Sequence, residues 1–300
     1  MRTFIYNMAL LAVYLLATPW LCAETQIFLV RQTWSQKPDG FDREFHVRLP
    51  KSREGMVPVI VFFHGNGGNA ARSLKEWTNL FPNHLVVAAQ GYLKSWNIHG
   101  ERSKAPDVAF FRQLMAKTLE TYRFADPANV TLVGSSNGAA LIHRLLIEVD
   151  EPLFQKAVPL VASMIEQQYH DGSFWMPSSS DTDDYDKRKA PVSGRKILYI
   201  HGTEDDVVPF EGGLRFGKFP HLSAPETALQ WARVQGFKGE PAEGSPAQNL
   251  QETAYSGTDV RFIAVTGGSH GLKPHREAVR ARIKKFVEQQ DAAISKPPQS

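Results

Sequence analysis

Short apolar runs alternate with amphipathic stretches along most of this chain. The runs at Val57–Phe63, residues 130–133, residues 197–200 and Val260–Val265 are rich in β-branched and aromatic residues, which is typical of buried strands. Residues 139–148 instead carry apolar side chains at helical spacing. Because strands that alternate with helices favour a mostly parallel sheet, the pattern predicts an α/β domain.

A glycine-rich joint lies between the second of these strands and the helix that follows it. Gly134-Ser135-Ser136-Asn137-Gly138 spells G-x-S-x-G, and Ser136 has a glycine two places to either side. A side chain at the tip of a sharp strand-to-helix turn needs neighbours without Cβ atoms, because strand and helix approach closely there. The frame predicts Ser136 as a nucleophile, Ser135 as a supporting residue and the N–H of Asn137 as an oxyanion donor.

A nucleophilic serine requires a histidine base and an acid that orients the histidine. After a serine in this kind of turn, the acid and then the histidine follow along the chain. The strand at 197–200 leads into a loop that contains Glu204, Asp205 and Asp206. Because functional groups of open α/β sheets gather at the C-terminal ends of strands, this loop supplies the acid. The spacing leaves the two aspartates as alternatives.

Three histidines follow the acid loop: His221, His270 and His275. His221 precedes a helical stretch, and His275 lies beyond Pro274, where a terminal helix is predicted to begin. His270 comes directly after a strand and has glycines close on both sides. We therefore predict His270 as the base.

A second glycine-rich loop, residues 64–68 (HGNGG), follows the first apolar strand. Such a loop lets the backbone approach a substrate carbonyl, so the N–H of Asn66 or Gly67 is predicted to complete an oxyanion hole with that of Asn137. His64 is interpreted as a structural histidine that holds this loop. The loop lacks the lysine and the spacing of a phosphate-binding loop, so no nucleotide site is expected.

Taken together, these segments resemble a group of α/β-hydrolase esterases that includes poly(3-hydroxybutyrate) depolymerases, feruloyl esterases and acetylxylan esterases. The resemblance rests on VFFHGNGGN, VVAAQGY, VTLVGSSNGAA, YIHGTEDDVVPFEGG and GGSHGLKPH, which are spread over residues 59–275. It implies an α/β-hydrolase fold, with a mostly parallel central sheet and helices on both faces. It also places the nucleophile on Ser136, the acid on Asp205 and the base on His270.

The chain departs from this group in three places. An alanine stands where a proline is common before Gln90, Ala139 stands where a third glycine is common, and no cysteine pair braces the loops. These differences bear on the substrate more than on the chemistry.

Composition and charge are those of one large globular domain. Three hundred residues with 42% hydrophobic content suffice for a large core, and residues 24–290 are predicted to form a single catalytic domain. The formal net charge is +3, the basic residues are scattered, and no basic tract is interleaved with aromatics. Nucleic acid is therefore not an expected partner. Residues 291–300 are predicted to be a frayed tail.

The N-terminal segment, residues 1–23, is typical of a signal peptide. It contains Arg2, an apolar core, Pro19 and a small residue, Ala23, at a cleavage position. The apolar stretch is shorter than the about 20 residues of a spanning helix. We expect export to the periplasm or the extracellular space without a stable membrane anchor. Cleavage would remove Cys22, the single cysteine, so no catalytic thiol is expected.

A long connection, residues 166–195, separates the strand after the nucleophile from the strand before the acid. It contains an apolar FWMP segment and a run of serines and aspartates. A flap over Ser136 and a disordered surface excursion remain alternatives. An acidic cluster in this connection lacks the glycine and the terminal glutamate of a calcium loop, so a solvated loop and no metal site are predicted. The cluster comprises Asp181, Asp183, Asp184 and Asp186.

Two tryptophans are candidates for substrate contact. Trp96 follows another predicted strand, and Trp175 lies in the long connection. An aromatic side chain beside the nucleophile would suit a planar acyl group or a sugar. Core packing is the alternative for Trp96.

The residues therefore predict hydrolysis of a carboxylic ester through an acyl-enzyme, with no cofactor. The resemblance implies a small or oligomeric ester as the partner, of the hydroxybutyrate type or a feruloyl or acetyl ester of plant polysaccharide. A peptidase or thioesterase on the same residues is one alternative. A catalytically idle fold that binds polysaccharide or protein is another. The physiological ester and the oligomeric state stay open.

Overall fold

The computed structural model describes residues 25–179, 182–214 and 219–289. The predicted signal peptide and the predicted tail both lie outside the described residues, as does Asp181. Within these ranges the chain forms fifteen strands and five α-helices.

Ten strands form the central sheet: β1 (Gln26–Trp34), β2 (Lys37–Arg48), β3 (Val57–Phe63), β4 (Leu85–Ala89), β5 (Ala125–Ser135), β6 (Lys156–Leu160), β10 (Lys196–Gly202), β13 (Ala242–Glu243), β14 (Leu250–Ala254) and β15 (Val260–Val265). Their order across the sheet is β1-β2-β4-β3-β5-β6-β10-β15-β14-β13. The six strands from β4 to β15 in this order are mutually parallel, and the strands outside them pair antiparallel. The mostly parallel sheet predicted from the sequence is confirmed.

Helices cover both faces of the sheet because successive strand residues point to opposite sides. Val59, Val61 and Phe63 of β3 belong to one buried cluster, and Ile60 and Phe62 belong to the other. Helices α2, α3 and α4 contribute to the first cluster, and α1 and α5 contribute to the second. The helices are α1 (Ala70–Leu80), α2 (Asp107–Thr121), α3 (Asn137–Glu148), α4 (Ala224–Val234) and α5 (Arg276–Glu288).

The predicted elements agree with the observed ones to within a few residues. Strands β3 and β15 have the predicted bounds, and the run at 130–133 lies inside β5. Helix α3 begins at Asn137, two residues before the predicted start, because the turn passes directly from strand to helix.

The long connection at 166–195 is folded where the structure describes it. It forms a three-stranded antiparallel sheet of β7 (Tyr169–His170), β8 (Ser173–Met176) and β9 (Lys187–Lys189). The Phe174 ring packs 5.0 Å from that of Trp231, and the buried Tyr185 hydroxyl donates to the Ile98 carbonyl at 2.8 Å. These contacts anchor the small sheet to the domain. A short hairpin of β11 (Gly213–Leu214) and β12 (Pro220–His221) completes the strands.

No helix in the described ranges is both long enough and apolar enough to span a membrane.

Candidate active site

Ser136 occupies a strained turn between β5 and α3. Its backbone has φ 54° and ψ −124°, a conformation that L residues rarely adopt and that costs about 1–3 kcal/mol. The Ser136 N–H donates to the Leu160 carbonyl of β6 at 2.9 Å. The turn is therefore held by the sheet and presents the hydroxyl at the C-terminal edge of the parallel strands.

The two glycines of the G-x-S-x-G frame allow this turn to close. A Cβ at Gly134 would lie 2.4 Å from the Gly138 carbonyl oxygen. A Cβ at Gly138 would lie 2.2 Å from the Phe63 carbonyl oxygen at the end of β3. Both distances are far below any real contact, so the close approach of strand and helix requires glycine at each position.

Three of the predicted residues form a hydrogen-bonded chain. The Ser136 Oγ lies 2.9 Å from Nε2 of His270, and Nδ1 of His270 lies 2.8 Å from Oδ2 of Asp205. With the Nδ1 proton donated to the carboxylate, Nε2 is the acceptor for the serine hydroxyl. In this geometry, Nε2 of His270 can accept the hydroxyl proton of Ser136.

Backbone contacts bring the acid loop and the base loop together. A Cβ on Gly202 would lie 2.2 Å from the Gly268 carbonyl oxygen, so the loops after β10 and β15 meet at a glycine. The Glu204 N–H donates to that same Gly268 carbonyl at 3.0 Å, and the Gly267 N–H donates to Oγ1 of Thr203 at 2.9 Å. Asp205 and His270 are positioned by this junction.

Asp205 is a buried, fully hydrogen-bonded carboxylate. Oδ1 accepts the N–H groups of Val207 and Val208, each at 2.8 Å, and Oδ2 lies 3.2 Å from Nε2 of His201. Burial alone would raise the pKa of Asp205, but hydrogen bonds from His201 and His270 outweigh it and hold that pKa well below its ordinary value. Asp205 is therefore charged at neutral pH. His201 is a member of this site that the sequence analysis did not assign.

The other acid and base candidates lie outside this chain of hydrogen bonds. Glu204 and Asp206 are exposed. His221 pairs with Ile165 at the edge of the small hairpin, and His275 directly precedes the first residue of α5. The alternative between the two aspartates is therefore resolved by geometry in favour of Asp205.

Of the two donors predicted in the loop at 64–68, Asn66 and Gly67, one is free. The Gly67 N–H donates to the Lys94 carbonyl at 2.8 Å, so the prediction of Gly67 as an oxyanion donor is wrong. In the described part of the chain, the N–H groups of Asn66 and Asn137 make no hydrogen bond. Of the predicted donors, Asn66 and Asn137 are thus the two whose N–H groups remain available for an oxyanion beside Ser136.

The Asn137 side chain clamps its own backbone to a neighbouring loop. Its Oδ1 accepts the Trp96 N–H at 2.7 Å and the Ser95 hydroxyl at 3.2 Å. Its Nδ2 donates to the Trp96 carbonyl at 3.2 Å and to Oε1 of Glu101 at 3.3 Å. Burial raises the pKa of Glu101, although the His99 and Ile98 N–H groups oppose this by donating to the carboxylate. Residues 95–101 therefore fix one oxyanion donor.

Trp96 supports the site from within the core. Its side chain is fully buried, and its Nε1–H donates to the His64 carbonyl at 2.7 Å. The prediction that Trp96 contacts substrate is therefore wrong, and its core-packing alternative is confirmed. The His64 ring holds the same loop, because Nδ1–H donates to the Gly65 carbonyl at 2.7 Å and Nε2 accepts the Gly91 N–H at 3.0 Å. Burial lowers the pKa of His64, which keeps the ring neutral.

Trp175 interacts within the small three-stranded sheet. Its ring stacks on His170 at 4.6 Å with an interplanar angle of 4°, and the Arg188 guanidinium lies 5.1 Å from its centroid. It does not line the cavity beside His270. The prediction that Trp175 contacts substrate is therefore not supported.

Two buried ion pairs hold the loop that carries Trp96 and Asn97. Arg43 donates to Asp107 at 2.6 Å, and the other oxygen of Asp107 accepts the Asn97 N–H at 2.6 Å. Arg144 donates to Glu148 at 2.6 Å and also to the Asn97 carbonyl. Because each charge is paired and hydrogen-bonded, the pairs rigidify the backbone next to the nucleophile helix.

A cavity of about 350 Å³ opens beside His270, between α1 and α5. Asn66 and His270 form one wall of it. Its floor is apolar and is made by Phe62, Trp77, Leu160, Val161, Val279 and Ile283. Three arginines and one glutamate also line it: Arg72, Arg276, Arg280 and Glu76. Within the described ranges no group of three or more His, Cys, Asp or Glu residues is arranged to bind a metal ion.

Known proteins resemble this chain in sequence and in fold. Feruloyl esterase B of Piromyces equi is 27% identical over 76% of this chain, and the chain spans 42% of the length of that relative. No protein-family model matches the chain.

Two solved structures show the same fold at low identity. Acetyl xylan esterase from Aspergillus awamori superposes with a TM-score of 0.59 and 16% identity, over 87% of this chain and 99% of its own. The Pyrococcus horikoshii acylaminoacyl peptidase superposes with a TM-score of 0.58 and 15% identity, over 92% of this chain and 43% of its own. The chain therefore has the α/β-hydrolase fold, and the resemblance to esterases of that fold is confirmed.

Proposed function

We propose that this protein is a serine carboxylic-ester hydrolase that acts through an acyl-enzyme. The observation that carries the proposal is the chain of hydrogen bonds from Ser136 through His270 to Asp205, with Oγ–Nε2 and Nδ1–Oδ2 distances of 2.9 and 2.8 Å. A serine in this arrangement is activated for attack on a carbonyl carbon. The similarity to a feruloyl esterase gives independent support for an ester as substrate.

In the first half of the reaction, the Ser136 Oγ attacks the carbonyl carbon while its proton passes to Nε2 of His270. The oxyanion of the tetrahedral intermediate is then stabilised by the N–H groups of Asn66 and Asn137. Asp205 holds the imidazolium in position and stabilises its charge. The proton on Nε2 passes to the leaving alcohol oxygen as the carbon–oxygen bond breaks, which leaves the acyl group on Ser136.

In the second half, a water molecule takes the place of the alcohol. His270 removes its proton as the water oxygen attacks the acyl carbon, and the same two N–H groups stabilise the second oxyanion. Collapse of this intermediate releases the carboxylic acid, and the proton returns from Nε2 to Oγ of Ser136. The residues end in their starting protonation states.

The substrate class we propose is an ester of the kinds that the family resemblance implies. These are feruloyl or acetyl esters of plant polysaccharide and hydroxybutyrate-type oligoesters. We also propose that residues 1–23 direct export. Mass spectrometry of the protein from a cell that exports it would test this, with an N-terminus after Ala23 as the expected result and an intact N-terminus as the contrary one.

The test of the enzymatic proposal compares the wild-type protein with Ser136→Ala and with the matched control Ser135→Ala. Substrates are methyl ferulate, acetylated xylan, hydroxybutyrate oligomers, p-nitrophenyl acetate and an N-acylamino-acid p-nitroanilide. We expect ester turnover that falls about 10⁴-fold or more in Ser136→Ala and persists in the control. An acetyl group trapped on Ser136 after rapid acid quench would identify the acyl-enzyme.

Each contrary outcome points to a definite alternative. Preferential cleavage of the anilide would indicate a peptidase on the same residues. Full ester turnover in Ser136→Ala would overturn the assignment of the nucleophile. If the wild-type protein cleaved none of these substrates, the result would favour a catalytically inactive fold that binds polysaccharide or protein.

A further inference from the structure

The cavity beside His270 carries unbalanced positive charge at its rim. Arg280 is neutralised by Glu76 and by Glu277, with which it forms ion pairs. Among the described residues neither Arg72 nor Arg276 has a carboxylate partner. Two guanidinium groups without a carboxylate partner therefore line a cavity that also has an apolar floor.

Both arginines lie close in sequence to the loops that carry the chemistry. Arg276 donates from Nε and from one terminal nitrogen to the Gly271 carbonyl, at 3.4 and 3.2 Å, and Gly271 directly follows His270. Arg72 lies in the first turn of α1, where its N–H donates to the Asn69 side chain at the end of the oxyanion loop. The cavity is thus lined by one arginine from α1 and one from α5.

The chemistry of these groups selects the ligand. A guanidinium presents several N–H donors in a planar fork that matches a carboxylate, and arginine is enriched where a carboxylate is bound in this bidentate way. A cavity of about 350 Å³ is at the small end of ligand pockets, so it holds one monomer-sized group. Its apolar floor suits the carbon chain or ring of that group, and its rim suits an anionic end.

We propose that the preferred ester carries a free carboxylate, which Arg72 and Arg276 bind while the attached carbon skeleton fills the cavity beside His270. This inference rests on the proposed esterase function and specifies its substrate class. It predicts selectivity for acidic esters, such as oligoesters with a free terminal acid, over neutral esters with the same leaving group.

The experiment compares p-nitrophenyl hemiglutarate with its neutral methyl ester. For the wild-type protein we expect kcat/KM to be about 10-fold or more higher for the hemiester, a ratio that falls as salt is raised because the arginines are exposed. In Arg72→Gln/Arg276→Gln the ratio should fall to near one, and Arg72→Glu should lower it below one. Arg282→Gln is the matched control, because that α5 arginine pairs with Glu252 away from the cavity.

The outcomes separate this inference from the proposed function. Hydrolysis of both esters with no preference, or a preference that persists in the double variant, would overturn the carboxylate site and leave the esterase intact. Hydrolysis of neither ester would overturn both. Glutarate should also inhibit cleavage of the neutral ester competitively, and loss of this inhibition in the double variant is expected.

Discussion

Replacement of Asp205 by asparagine should abolish most activity without disrupting the fold. In the native protein Oδ1 accepts two backbone N–H groups at 2.8 Å, from Val207 and Val208, while Oδ2 accepts Nδ1–H of His270 at 2.8 Å. Asparagine has a single acceptor oxygen. Orienting that oxygen toward the two backbone N–H groups preserves both of these hydrogen bonds and leaves Nε2 of His201 its other acceptor, the Val208 carbonyl at 3.0 Å. The flipped amide would keep the contacts to His201 and His270 but would direct its NH₂ against both backbone donors.

The favoured orientation changes the histidine tautomer. The asparagine NH₂ would donate to Nδ1 of His270, so the proton moves to Nε2 and the ring can no longer accept the proton of Ser136. The stabilisation of the imidazolium by the carboxylate charge is lost as well. In a serine triad such a change lowers kcat about 10⁴-fold, which corresponds to about 5.4 kcal/mol of transition-state stabilisation.

The assay is steady-state hydrolysis of p-nitrophenyl acetate by the wild-type protein, Asp205→Asn and the matched control Asp206→Asn. Asp206 is exposed, so its variant should retain kcat within about twofold. Urea unfolding of each variant verifies that the fold persists. If Asp205→Asn kept more than a tenth of the wild-type kcat, the tautomer argument and the role of Asp205 would both be refuted.

Two further predictions concern the turn at Ser136 and the hydrogen bonds that hold the Asn137 side chain. Gly138→Ala should lower the free energy of unfolding in urea by about 3 kcal/mol or more, because its Cβ would meet the Phe63 carbonyl oxygen at 2.2 Å. The control Gly239→Ala, whose Cβ has no neighbour closer than 3.7 Å, should change this free energy by less than about 1 kcal/mol. Equal effects of the two variants would refute the steric argument. Glu101→Gln should lower kcat about 10-fold with little change in KM. The glutamine NH₂ would face Nδ2 of Asn137, and because both groups are donors, they would move apart and displace the oxyanion N–H of Asn137. An unchanged kcat would show that the hydrogen bonds of the Asn137 side chain do not position that N–H.

The sequence by itself determined the parallel core and the order of the site residues. Periodicity and β-branched runs depend on neighbours close in sequence, and so they located β3, β5, β10 and β15. The G-x-S-x-G frame singled out Ser136, because backbone geometry at a sharp turn dictates where glycine is needed. His270 followed from the same logic, since it comes after a strand in the required order.

Only the tertiary structure decided which groups are free to react. Asp205 differs from Asp206 because Val207, Val208 and two histidines surround one carboxylate and leave its neighbour exposed. Gly67 lost its predicted role because the Lys94 carbonyl, 27 residues along the chain, occupies its N–H.

Packing between distant segments also decided the burial of Trp96, the hydrogen bonds to the Asn137 side chain and the charge of the cavity. Trp96 is buried, Glu101 reaches Asn137, and Arg72 and Arg276 meet at one cavity through packing between segments far apart in sequence. A local pattern records a residue's preference for helix, strand or turn. Burial, hydrogen-bond partners and the convergence of charges arise when distant segments pack, and these decided the chemistry of the site.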